Sequence, residues 1–295
     1  MKVRFAVAPA GGALSGGDLA GFADAIERSG FDGIWLSDLP LAPTPDPLLG
    51  LVLVAGRTRR LRLGANVVPL GRNPFLLAKE LAQIDQLSGG RLLLSFVTGI
   101  GQPDEAEALG LNGASRGAVL EEVLGLARSW WEGNAVSHHS TRWTFTDLPS
   151  AARPIQDPLE VWLGGRGPRA LERVGRVADG WLGAQLTPAQ AGTARERIQQ
   201  AAAAAGREID PEHFGLSIAY AHAAPDSAQL AHRRGRRTDI DPLAVIPVGA
   251  DGLRGFIERY VAAGLSKFVV RPVGPVTSWT SEAEWLAEAI LDLQT

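Results

Sequence analysis

The sequence has no cysteine, and that absence excludes disulfides, thiolate metal sites and a cysteine nucleophile together. Histidine is scarce: His138, His139, His213, His222 and His232 are the full set. None is spaced as H-x-H or H-E-x-x-H, and the adjacent pair would point opposite ways on an extended chain. No metal site is expected. Long apolar runs are missing too: no stretch of roughly 18 uncharged apolar residues is there to span a bilayer. The opening Met1-Lys2-Val3-Arg4-Phe5 reads as a strand without the apolar core of a secretory signal, so a cytoplasmic location is expected. Excess charge of one sign is also lacking. The net charge is −3, which favours neither a nucleic-acid nor a membrane partner. The basic run His232-Arg233-Arg234-Gly235-Arg236-Arg237 then reads as a solvated loop, because nucleic-acid binding would come with net positive charge and interleaved aromatics.

What is present is a long, ordinary globular composition. The chain has 295 residues, 45% of them hydrophobic and 21% charged, enough to bury a large core. Its 35 glycines and 19 prolines are spread along the chain and punctuate elements. Short, nearly continuous apolar runs lie at 2–8, 33–37, 61–67, 91–98, 160–164, 180–184, 214–222 and 267–272. That is the pattern of parallel strands buried on both faces. Amphipathic segments fill the gaps at 18–29, 46–56, 74–88, 116–132, 168–178, 188–205, 251–263 and 281–293. The third is sharply bounded, with Asn73 to cap it, Pro74 in its first turn and Gly89-Gly90 to end it. Leu77, Leu81, Ile84 and Leu87 are expected on its buried face. Strict alternation of eight strands and eight helices predicts a (β/α)8 TIM barrel in one domain spanning residues 1–295, with a doubly wound open sheet as the alternative. Two polar connections, 134–158 and 223–249, exceed the repeat and read as loop insertions.

The sharpest local signal is Trp162-Leu163-Gly164-Gly165-Arg166-Gly167-Pro168. Here an apolar strand runs into a helix through bare backbone, with Pro168 in the first helical turn. Exposed N–H groups and the helix dipole suit a phosphate; read as structure alone, the same glycines serve a tight turn. The spacing is not G-x-G-x-x-G, so a dinucleotide fold is not indicated. Other strand ends are polar: Ser37-Asp38, Asn66, Thr98-Gly99 and Gln185. In a barrel these converge on one mouth, although a single Asp after a strand is commonly a cap or turn residue.

Asn73-Pro74-Phe75-Leu76-Leu77-Ala78-Lys79-Glu80-Leu81-Ala82, continued by Ile84-Asp85-Gln86-Leu87-Ser88-Gly89-Gly90-Arg91, resembles a signature of the bacterial luciferase-like flavin-dependent oxidoreductases and monooxygenases. Val161 to Gly165, Ala170-Leu171 and Ala178-Asp179-Gly180-Trp181 extend the resemblance, which is nearest to the enzymes dependent on coenzyme F420. The resemblance implies a luciferase-like barrel that binds F420, with FMN as the alternative, and moves a hydride to or from a small organic substrate. It places Asp38 near the ring and implies a non-proline cis peptide at Asn66-Val67 behind it. Thr98-Gly99 would border the ring, and Gly164, Gly165, Arg166 and Gly167 would hold the phosphate. It also implies a homodimer through the helices of the second and third units. Two positions depart from well-known relatives: Leu39 stands where they carry a histidine and Ile100 where they carry a glutamate. No acid/base pair is therefore identified, Asp38 being the best catalytic candidate. The alternatives are an FMN-dependent monooxygenase and a flavin-binding barrel that has lost catalysis. A barrel lyase would need a lysine or a carboxylate pair at these strand ends, where Asp38 stands alone.

Overall fold

The computed structural model describes residues 1–10, 14–111, 113–225 and 240–295. Eight strands carry the architecture: β1 (Arg4–Val7), β2 (Gly33–Ser37), β3 (Arg62–Val67), β4 (Leu92–Phe96), β7 (Val161–Gly164), β8 (Gly180–Ala184), β9 (Phe214–Tyr220) and β10 (Lys267–Pro272). They close into a barrel in the order β1-β10-β9-β8-β7-β4-β3-β2, and every pairing between them is parallel. All eight lie where the apolar runs predict them. The open-sheet alternative is excluded by the β1–β10 closure, in which Arg4 pairs with Lys267 and Val7 with Val270.

Outside the barrel run α1 (Gly16–Ser29), α2 (Pro47–Arg57), α3 (Pro74–Ser88), α4 (Pro103–Ala108), α5 (Arg116–Trp131), α6 (Pro168–Val177), α7 (Pro188–Ala204), α8 (Gly249–Ala262) and α9 (Trp279–Ile290). Local chemistry sets their starts: Ser15, Asp46, Asn73, Thr187 and Ser278 each accept a first-turn N–H, which satisfies donors a helix start leaves free. In α3, Leu77, Leu81 and Ile84 are buried as expected, but Leu87 is 69% exposed. At about 100° per residue, Ser88 returns beneath Leu77 while Leu87 swings out; Ser88 and Asp85 are the buried residues there.

The signature around α3 is structural at this end. The buried Asp85 carboxylate accepts from Ile155 N (2.8 Å), Gln156 N (2.9 Å) and Gln156 Nε2 (2.7 Å). Arg91 donates to the carbonyls of Ser88, Leu61 and Ala55. Together they lock the chain at the N-terminal end of the barrel, away from the mouth.

The lumen alternates large and small. Trp35 lies over Gly64 on the neighbouring strand, where a Cβ would overlap its indole, and Trp162 lies over Gly180 in the same way. The outward positions Phe5, Ile34, Leu63, Val161, Trp181 and Phe214 are fully buried beneath the helices. Each such side chain contributes about 2 kcal/mol through burial.

Two insertions differ from the sequence reading. The connection 134–158 holds a hairpin, β5 (Val136–His139) against β6 (Thr144–Leu148), which its polar alternation disguises. Between β4 and α5 lies the short α4, with Pro103 in its first turn. Of the 223–249 connection, Pro242–Ala244 is a 3₁₀ turn; the basic run 232–237 lies outside the described residues.

Candidate functional site

Side chains on parallel strands alternate between lumen and helix layer, and this decides which predicted residues reach the barrel mouth. A cavity of about 560 Å³ opens there, within the size range of small-ligand and cofactor sites. Asn66, Thr98, Gly99, Gly164, Gly165 and Arg166 line it. Asp38, Val67 and Gly167 do not appear on its wall. Val67 has the outward parity of β3 and is fully buried, while Gly167 sits one step back as the N-cap of α6.

The glycine segment is built for close approach. A Cβ on Gly164 would come within 2.7 Å of Val97 Cγ1, and Gly165 has φ +120° with a Cβ position 2.7 Å from that of Ala170. The Trp181 indole donates to the Gly165 carbonyl at 2.8 Å, which fixes the orientation of that peptide. α6 begins without a side-chain cap, so no side chain of its own satisfies the N–H groups that a helix start leaves free.

Across the mouth, Thr98–Gly101 is held by a buried carboxylate. Glu105 is 1% exposed and accepts from Ile100 N (3.0 Å), Gly101 N (3.0 Å) and Arg116 Nη1 (2.7 Å). Arg116 also donates to Thr98 O at 2.8 Å. Gly99 must be glycine here: φ is +77°, and a Cβ would stand 2.6 Å from Glu105 Oε2. A carboxylate thus stands beside the Thr-Gly turn after all, but it faces the backbone and Ile100 faces the cavity.

Asp38 follows the same alternation. Ser37 has lumen parity and its Oγ accepts from Asn66 Nδ2 at 3.2 Å; Asp38 points the other way. Its carboxylate accepts from Val68 N (3.1 Å) and Arg72 Nη2 (2.9 Å), and Arg72 reaches on to Asp46 at 2.7 Å. Burial lifts the Asp38 carboxyl above the ordinary aspartate range, outweighing the guanidinium beside it. The arrangement ties β2, the β3–α3 connection and the start of α2 together.

The expected cis peptide at Asn66-Val67 is corrected: among the described residues the cis bond is Asp157-Pro158, and Asn66-Val67 is trans. Both residues sit in regular ladders, Asn66 opposite Ser37 and Ser95, Val67 opposite Phe96. Their carbonyls accept from Asp38 N and Val97 N, each at 2.9 Å.

Several cavity residues were not singled out as site residues by sequence. Arg271, Gln102 and Ser217 line the mouth; for Arg271 and Ser217 the signal was period-2 parity with Val269 and Gly215, available only once strand ends are fixed. Gln185 lines it with φ +56°, a conformation non-glycine residues rarely hold outside functional or tightly constrained sites. Leu182, Ile240, Val245 and Ile246 give one wall an apolar character. No histidine is on that wall, and no group of three metal-ligating side chains occurs among the described residues. The string Gly113-Ala114-Ser115-Arg116-Gly117 matches G-x-S-x-G, but Ser115 opens α5 after a turn rather than after a strand, so it is no nucleophile elbow.

Comparison with known proteins agrees with the barrel fold. The family described as luciferase-like monooxygenase matches residues 3–247. A phthiodiolone/phenolphthiodiolone dimycocerosates ketoreductase of Mycobacterium kansasii is 34% identical over 161 residues, 53% of this chain and 43% of its own. An F420-dependent glucose-6-phosphate dehydrogenase of Amycolatopsis mediterranei (strain U-32) is 30% identical over 179 residues, 56% of this chain and 52% of its own. The chain spans about half the length of these curated relatives. The solved F420-dependent secondary alcohol dehydrogenase in complex with an F420–acetone adduct superposes with a TM-score of 0.82 at 17% identity, covering 100% of both chains.

Proposed function

The chain belongs to the luciferase-like monooxygenase family, and from that premise we propose that it is an F420-dependent oxidoreductase acting on a small, largely apolar organic molecule. The observation that carries this reading is the glycine cradle Gly164–Gly167, which opens on a cavity bordered by two guanidinium groups, Arg166 and Arg271. Gly164, Gly165, Arg166 and Gly167 would hold the cofactor phosphate. Asn66, Thr98 and Gly99 would border the ring, with Val67 and Asp38 supporting that wall from behind. Two arginines suit the longer acidic tail of F420 better than the single phosphate of FMN. The bound cofactor would supply or accept the hydride. The chain's own part is to fix the ring against β3 and β4, exclude water with the apolar wall, and leave the substrate room beside Ile100.

FMN with molecular oxygen is the second reading, favoured by the monooxygenase description of the matching family; a barrel that binds flavin without turnover is the third. Titration with F420 and with FMN, followed by quenching of the eight tryptophans, separates them. Saturation by F420 at micromolar concentration is the expected result; failure of both ligands to bind overturns the cofactor assignment. Binding without consumption of reduced cofactor across a substrate panel favours the non-catalytic reading. The protein is further proposed to be a homodimer, because the neighbouring helices α2 and α3 expose Leu49, Val52, Leu53, Leu76 and Leu87, apolar side chains of the kind that mark interaction surfaces when they cluster.

A further inference from the structure

The barrel has a second cavity, of about 410 Å³, at its N-terminal end. Leu182 lines both cavities and separates them. The lower cavity is aromatic and apolar in its depth, where Trp35, Trp162, Leu93, Leu182 and Val269 form the wall. Ionic groups ring its opening, among them Arg4, Asp32, Arg62, Glu160 and Lys267.

Most of these charges are matched. Arg4 Nε lies 3.5 Å from Asp32, His213 Nδ1 lies 3.7 Å from Glu160, and Lys267 Nζ lies 3.7 Å from Glu212. Arg62 is different. Its Nη1 donates to the Gly90 carbonyl at 3.3 Å, and although its charge is felt at Asp32, it forms no direct ion pair with a carboxylate among the described residues. The guanidinium keeps a forked set of donors that matches a carboxylate. Asp32 and Lys267 are partly buried here, which raises the one and lowers the other from their ordinary values, and an ion pair formed in such surroundings is screened less than one on the open surface.

We propose that this end of the barrel is a binding site for a small aromatic monocarboxylate, its ring between the Trp35 and Trp162 indoles and its carboxylate on Arg62. Two indole walls favour a flat aromatic body over a flexible chain, because offset stacking adds to burial. The volume accommodates a compact bicyclic acid and excludes the proposed cofactor, which belongs to the opposite end. The site is independent of the redox reading and stands whether or not the upper cavity takes F420.

The test is calorimetric titration of the full chain with 2-naphthoate, with and without saturating F420 or FMN, and with neutral 2-naphthylmethanol as comparison. The expected result is saturable naphthoate binding that either cofactor leaves unchanged. It should weaken about tenfold in Arg62→Gln, the scale of one charge-assisted hydrogen-bonded contact, and the alcohol should bind correspondingly weakly. Val269→Phe, which fills the lumen and leaves Arg62 in place, should abolish binding and covers the case in which Arg62→Gln is unstable. No saturation below about 1 mM, or affinity unchanged in both variants, overturns the proposal. Displacement by FMN or F420 overturns it too, by placing the acid in the upper cavity.

Discussion

Asp38 and Glu105 are two carboxylates beside the mouth that both serve backbone, and they make distinct predictions. Asn at position 38 keeps an acceptor for Val68 N, while Arg72 keeps Asp46, so Asp38→Asn isolates the ionisation itself. Because burial raises the folded-state value, the contribution of Asp38 is fully present below the unfolded aspartate value, about 3.9. It is lost as pH rises through the raised value. The stability of Asp38→Asn relative to the parent should therefore climb across that window and level off above it, as urea melts at successive pH values would show. Flat behaviour would mean Arg72 dominates. Glu105→Gln removes the charge that Arg116 and two amides share. A loss of about 3 kcal/mol is expected, together with faster amide exchange at Ile100 and Gly101 and weaker cofactor binding. At Gly165 the left-handed φ makes Gly165→Ala strained by about 1–3 kcal/mol. Cofactor affinity should fall more in that variant than in Gly167→Ala, whose Cβ would meet open space.

At the scale of elements, the barrel rests on strands whose lumen positions trade bulk with their neighbours. Gly64→Ala would drive a methyl into the Trp35 indole. Overpacking of about 1–3 kcal/mol is the expected cost, read as a lowered denaturation midpoint with unchanged slope. Element identity was readable because buried parallel strands are continuous apolar runs and helix starts carry Ser, Asp, Asn or Thr caps. The β5–β6 hairpin was not readable: its strands are polar and half-exposed, so no apolar alternation marks them. Leu87 was misassigned because a leucine one residue off the stripe looks periodic in sequence, and only the packed helix shows Ser88 in its place.

For the whole molecule, the exposed leucines of α2 and α3 predict that Leu49→Lys combined with Leu53→Lys yields a monomer by sedimentation while the far-ultraviolet spectrum is kept; an unchanged mass would refute the proposed dimer face. No helix among the described residues is long and apolar enough to cross a membrane. By itself the sequence determined the (β/α)8 order, the family and the glycine-rich strand-to-helix turn Gly164–Gly167, because each is written in local periodicity or in a contiguous motif. Only the tertiary structure decided which way strand ends point. Parity sends Asp38 and Val67 behind the wall and brings Arg271 and Ser217 to the mouth, while the Asn66-Val67 bond is trans. It also leaves a second cavity at the far end. The physical reason is that a strand has two faces, and only barrel closure makes one of them the lumen.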